Sequence, residues 1–379
     1  MSSSPVSLEE VLARAERAAQ VAARHAEEVD RTAAFPEASL EALRKEGLLG
    51  LGISPELGGL GHGPRAAALV VERLARECAS SAMVTCMHYA GAAVVEAHGP
   101  DEVRRAIARG EHLSTLAFSE AGSRSMFWAP VSTAASEGSD VVLEAKKSWV
   151  TSARRATAYV WSSKPVAAEG ASTLWLVPSG AKGIRIGEPF QGLGLRGNDS
   201  VPVEAAGVRL PASARLGEDG KGFDLMMGVV LPRFNLMIAA VSVGIMEAAT
   251  ARTAAHVGAT RFSHSGAGLA ELPTIRAQVA RMRIATDQGR ALLLDAIDAV
   301  ERGRADAMLR VLEVKAACGD AALEVGDLGM RTCGGAAYRK ELGVERAFRD
   351  GRAASVMAPT SDQLLDFIGK AVCGLPLFG

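Results

Sequence analysis

VVLEAKKSWVTSARRATAYVWSSKPVAAEGASTLWLVP, residues 141–178, is the stretch that decides the fold. Its runs VVLEA, KSWVTS, AYVWSS and STLWLVP are rich in Val, Trp, Thr and Ser and are separated by Gly, Pro and Ser, the pattern of short strands joined by turns. On both sides the pattern changes. From Leu8 to Arg109 the chain is rich in Ala, Leu, Glu and Arg with apolar residues at helical spacing, broken at Pro36, at GISPELGGLGHGP (52–64) and at Gly99-Pro100. From Phe223 onward long Ala/Leu/Met/Arg-rich patterns return, most clearly over 232–258, 270–302 and 305–330. The expected architecture is α+β: an N-terminal helical domain (1–112), a small middle β domain of sandwich or barrel type (113–219) and a C-terminal four-helix bundle (220–379).

This order argues against a nucleotide-binding sheet, in which strands and helices alternate. Neither GxGxxG after a strand nor GxxxxGK[ST] occurs, and GGLGHG at 58–63 reads as a loop because no strand precedes it. With 42 Lys+Arg against 43 Asp+Glu, the formal charge of -1 provides no electrostatic footprint for nucleic acid or an anionic membrane. No apolar run is read as reaching the roughly 20 residues that span a bilayer, so membrane insertion is not expected. The five cysteines form no CxxC pair and no metal-ligand spacing, so buried free thiols in a reducing cytosol are expected, with no metal.

Two short motifs carry the candidate chemistry. In LAFSEAGSRS (116–125) a strand ending at Phe118-Ser119 runs into a small-residue turn, which offers backbone N–H groups and a hydroxyl to a flat polar ring edge. In KKSWVTS (146–152) Trp149 and Thr151 are two apart on a strand, so both should face the same side, one to stack and one to donate. Further on, LGLRGNDSVPVEAAGVRLP (193–211) and CGGAAYRKELGVERAFRD (333–350) follow in order.

Together these four segments resemble the acyl-CoA dehydrogenase superfamily of flavoproteins, over nearly the whole chain. The resemblance implies FAD, with Leu116, Phe118, Ser119, Trp149 and Thr151 against the flavin and Ser125 near cofactor or thioester. It places Thr360 and Asp362 at the cofactor as well. It treats the RGNDS turn (196–200) as a structural brace. It also implies that Arg261, Arg331 and the Gly334-Gly335 pair reach the FAD of a neighbouring subunit, hence a homodimer or homotetramer. Here His264-Ser265 follow Arg261 in place of Phe-Gly, Arg331 stands where glutamine is usual, and Ala337 replaces a common glycine.

The catalytic base is the main departure. The parent reaction needs a carboxylate beside the substrate α-carbon. The C-terminal site for it reads VMAPT, with Ala358 and Pro359 before Thr360, and the alternative site ahead of Arg233 holds Pro232, which suits the first turn of a helix. Arg233 remains, as a catalytic and substrate-binding candidate. In SSAMVTCMHYAG (80–91), His88 is a candidate catalytic residue and Tyr89 a substrate contact; Glu120, Asp362 and Asp366 are weaker bases, Glu120 being expected to brace its loop.

Three functions follow as expectations. The first is α,β-dehydrogenation of an acyl thioester bound to CoA or a carrier protein, with an electron-transfer flavoprotein or oxygen as acceptor. The second is a flavin-dependent monooxygenase, supported mainly by His88. The third is a non-redox flavoprotein, performing elimination from a thioester, or an inactive binding member. The cytoplasm is the expected location.

Overall fold

The structure, a computed structural model, describes residues 6–123 and 126–378. Helices α1 (Leu8–Thr32), α2 (Glu37–Lys45), α3 (Pro64–Glu77), α4 (Ala79–His98) and α5 (Asp101–Ala108) form the first layer. Ser7 caps α1, its hydroxyl accepting the Glu10 N–H, and Glu9 and Glu10 oppose the positive end of the helix dipole. Helix α4 is buried along nearly its whole length, so it has no polar face and serves as the central post of this layer.

The middle segment contains β1 (Ser114–Ala117), β2 (Thr133–Glu137), β3 (Asp140–Val150), β4 (Ala158–Ser163), β5 (Thr173–Pro178), β6 (Ile184–Ile186), β7 (Val201–Pro211) and β8 (Arg215–Leu216). They form two four-stranded sheets, β1-β4-β5-β8 and β2-β3-β7-β6, with β1 parallel to β4 and the other named pairings antiparallel. Val141, Leu143, Tyr159, Trp161, Trp175, Val177, Val201 and Val203 fill the core between them. VVLEA and the first four residues of KSWVTS, expected as two runs, are one strand of 11 residues, with register shifts at Leu143/Glu144 and Lys147/Val150. The shifts let one long strand bend, and the second re-aims Trp149.

The C-terminal segment starts with α6 (Gly222–Leu225), which runs through a π-turn at Met226–Val230 into α7 (Leu231–Ala259). Pro232 accounts for the π-turn. It has no N–H to donate and its ring would meet the carbonyl four residues back, so the backbone widens there. Pro232 stands in the first turn of α7, as the sequence reading put it, with the π-turn just upstream, and Arg233 Nη1 donates to the Val229 carbonyl at 3.1 Å. Helices α8 (Pro273–Glu301) and α9 (Ala307–Cys333) follow, and the fourth position of the bundle is made by the short α10 (Val344–Gly351), α11 (Ala353–Val356) and α12 (Ser361–Val372).

Two composition readings need correction. The segment Gly222–Ala259 is long and apolar enough to cross a membrane, contrary to the sequence reading, but 83% of its most apolar window is buried inside the protein, as in a core helix. Cys78, Cys86, Cys318 and Cys333 are buried as expected, whereas Cys373 is exposed.

Candidate active site

A cavity of about 640 Å³ opens where the three segments meet. Its walls come from α4 (Met83, Met87), from the turn after β1 (Ser119), from β3 and its end (Ser148, Trp149, Thr151), from α7 (Phe234) and from the Met357–Ala358 segment with Thr360. A side pocket adds Leu116, Phe118, Phe127 and Leu231 while sharing Met87, Trp149, Phe234 and Ala358. Leu116, Phe118, Ser119, Trp149, Thr151 and Thr360 are thereby brought together. Ser125 lies outside the described residues.

Trp149 and Thr151 reach this cavity by a route other than strand alternation. Trp149 has φ 56, a left-handed conformation that a bulky residue adopts only under constraint. It leaves the indole 58% exposed, whereas Thr151 is buried. The indole stacks on Phe190, ring centroids 4.1 Å apart and planes 28° apart. Thr151 Oγ1 lies 3.2 Å from Ser200 Oγ, and its carbonyl accepts from Thr115 at 2.8 Å. The Ser148 N–H donates to the Ser119 carbonyl at 2.9 Å, tying the two motif segments side by side.

Behind them lies a buried ion pair. Lys147 Nζ is 2.7 Å from Glu120 Oε1, 2.7 Å from the Ser162 carbonyl, 2.9 Å from Ser162 Oγ and 5.4 Å from the Trp161 ring centre. Glu120 also accepts the Val131 and Ser132 N–H groups and the Ser132 hydroxyl. Burial pushes the Lys147 ammonium down to about 8 against the opposing pull of Glu120. Burial raises the Glu120 carboxyl, but the Lys147 charge and the bonds around it win and hold it below the usual carboxylate range. Glu120 is the one carboxylate among the described residues that line the cavity, and it is engaged as a brace.

His88 takes up a different position from the expected catalytic one. It is fully buried; its Nε2–H donates to the Leu49 carbonyl at 2.9 Å and its Nδ1 accepts the Ser114 N–H at 3.1 Å. Both nitrogens are engaged by backbone, so the ring is a neutral tie between α4, the loop before α3 and the start of β1. Burial lowers it to about 4, against the Leu49 bond, which raises it. Tyr89 donates to the Leu48 carbonyl at 2.8 Å and, with Arg233, lines a separate cavity. Ala358 presents a methyl group to the active-site cavity, and Pro232 does not line it.

Thr360 caps α12, accepting the Gln363 N–H at 3.4 Å, while Asp362 is exposed and outside the lining. Arg261, Arg331, Gly334 and Gly335 are all exposed and line none of this cavity. Gly334 has φ 56, and a side chain on it or on Gly335 would meet nothing within 4 Å, so the backbone there is open to close approach by another group. In the RGNDS turn, Asp199 accepts Arg154 N–H at 2.9 Å and Arg154 Nε at 2.6 Å, while Arg196 is exposed.

Several residues in or behind the walls were not singled out in the sequence: Met83, Met87, Ser200 and Arg349 of the lining, Phe190 stacked on Trp149, and Lys315 behind the Ala358 segment. Arg349 pairs with Asp30 and Glu345 at 2.6 Å each and donates to the Leu193 carbonyl at 3.0 Å, joining α1 and α10 to the cavity rim. Lys315 on α9, buried without a carboxylate partner within 4 Å among the described residues, donates to the carbonyls of Ala354 (2.9 Å), Met357 (3.1 Å) and Pro359 (2.6 Å). Burial lowers its ammonium to about 7. It holds the segment that carries Ala358.

A helical layer, a two-sheet middle and a helical bundle around one cleft form the architecture of the acyl-CoA dehydrogenase fold. Residues 9–110, 115–208 and 220–373 match the N-terminal, middle and C-terminal domains of acyl-CoA dehydrogenase, and the chain belongs to that family. It is 29% identical over 347 residues to the human mitochondrial short-chain specific acyl-CoA dehydrogenase, covering 89% of this chain and 82% of that one. Its fold is similar to that of butyryl-CoA dehydrogenase from Megasphaera elsdenii, with TM-score 0.91, 20% identity and coverage of 98% and 99%. PigA, solved as an FAD complex, superposes with TM-score 0.88 at 19% identity, covering 97% of each chain.

Proposed function

We propose that this protein binds FAD in the cleft beside Trp149 and Thr151 and dehydrogenates an acyl thioester, carried by CoA or a carrier protein, between its α and β carbons. The observation that carries the reading is the cavity itself: one flat aromatic wall, an adjoining hydroxyl pair, and apolar walls opposite. The exposed, unobstructed Gly334-Gly335 backbone supports a diphosphate contact from a second copy, with Arg261 and Arg331, and hence a homodimer or homotetramer. FAD, when bound, supplies the hydride acceptor.

The chain's own residues would divide the remaining work. Trp149 with Phe190 sets the plane of the wall, and Thr151, held by Ser200, presents a hydroxyl at fixed depth. Met83, Met87, Phe118 and Phe234 exclude water, which strengthens every polar contact inside. No free carboxylate or imidazole among the described lining residues stands ready to take the α-proton. The reading therefore favours a substrate whose α-proton is already acidic and is taken up by a group of the substrate itself. His88 gave the monooxygenase alternative its support, and its two backbone bonds withdraw that support.

The test is anaerobic titration of the FAD-loaded protein with acyl-CoA thioesters of graded α-acidity. Loss of the oxidised flavin band, faster with the more acidic substrates, is the expected result. Reduction by none of them would overturn the dehydrogenase reading.

A further inference from the structure

Arg233 opens into a second cavity, of about 80 Å³, lined by Leu49, Leu51, Ala67, Tyr89, Ala92 and Met237 together with His62 and Glu96. The same two helices wall both cavities, through Met87 and Phe234 on one and Tyr89 and Arg233 on the other. The other polar groups of the second cavity are engaged. Tyr89 donates to Leu48, His62 Nε2 lies 2.9 Å from the Val6 carbonyl, and Glu96 accepts from Arg104 at 2.7 and 3.0 Å and from the Ser54 N–H at 3.3 Å.

The guanidinium is the exception. Among the described residues its side chain makes one hydrogen bond, from Nη1 to the Val229 carbonyl in the π-turn before α7, and no ion pair with a carboxylate. Burial disfavours its charge, and no neighbouring group offsets that cost. A half-buried planar fork with donors left over, facing a small pocket whose remaining walls are largely apolar, has the geometry for bidentate carboxylate recognition.

We propose that this second cavity is a carboxylate-binding site with Arg233 as its receptor. The carboxylate is either the far end of an acyl chain or a small free acid, and only the first source rests on the thioester reading above. Balance favours one small anion: 80 Å³ admits a carboxylate with a short carbon stem and little more.

The probes are sodium propionate and its neutral counterpart propionamide, titrated by calorimetry at constant ionic strength into the wild-type chain and into Arg233→Met and Arg233→Lys. Saturable binding of propionate with no response to propionamide, weakened about tenfold or more in Arg233→Met and partly kept in Arg233→Lys, is expected. Equal responses to the two probes, or an Arg233→Met protein that binds propionate like wild type, would overturn the site. Should Arg233→Met fail to fold, the propionate against propionamide comparison in the wild type still decides. Glutaryl-CoA and pentanoyl-CoA then separate the sources: competition between propionate and glutaryl-CoA alone assigns the pocket to a chain end, and no competition assigns it to a free acid. Neither probe of the pocket requires flavin, so failure of the flavin reading leaves this result intact.

Discussion

Lys147 and Glu120 meet 2.7 Å apart with both side chains shut away from solvent, directly behind the strand segment that presents Trp149. The pair joins the turn after β1 to β3, which are the two motif segments recognised in the sequence. Removing one partner leaves the other charge buried and unpaired, so Lys147→Met or Glu120→Leu should each cost about 3–5 kcal/mol, whereas the double substitution should cost much less than the sum. Urea unfolding of the four proteins measures the coupling.

Lys315 should set the position of the Ala358 wall. Lys315→Met strips the buried Ala354 and Pro359 carbonyls and the half-buried Met357 carbonyl of their donor, at a cost of about 1–3 kcal/mol for each buried one left unmet. Limited proteolysis should then cut within 354–359 in the variant and spare the wild type.

His88 predicts an acid limb in stability. Its folded value, about 4, lies below its ordinary 6.5, so the unfolded chain binds more protons between them, and stability falls as pH drops through that window. A gap of this size corresponds to about 3 kcal/mol. His112, lowered to about 4 by burial and by the nearby His88, adds to the same limb. His88→Asn should flatten the fall between pH 6.5 and 4 by its own share, read from denaturant midpoints at several pH values.

Ala358 faces the cavity from the segment that the family uses for its base. Ala358→Glu should therefore introduce a proton acceptor and raise the rate of flavin reduction by simple saturated acyl-CoA substrates about a hundredfold or more. Anaerobic stopped-flow absorbance checks this directly.

The helix, sheet, helix order was legible because the change from helical spacing to Val/Trp/Thr-rich runs near 113 and back near 220 is a local property of the chain. Leu116, Phe118, Ser119, Trp149, Thr151 and Thr360 were legible as one site through their motifs. Trp149 was misjudged in one respect: the bulge at Lys147/Val150 turns its backbone left-handed, and no alternation rule foresees a bulge. The surroundings of His88 and Arg233 were not legible, for a different reason. What a polar side chain on an apolar helix meets is set by backbone that no side-chain pattern shows, here Leu49 and Ser114 for one and the π-turn at Met226–Val230 for the other. Lys315 carried no signal at all, since its three partners lie some forty residues away.

Flavin content is the most direct measurement of the central claim. Purified chain incubated with FAD and freed of excess by gel filtration should retain close to one FAD per chain, with the oxidised flavin absorbance in the visible and quenched Trp149 emission, and Trp149→Ala should retain markedly less. A folded protein that emerges colourless from every loading, with its tryptophan emission unchanged, would contradict the account.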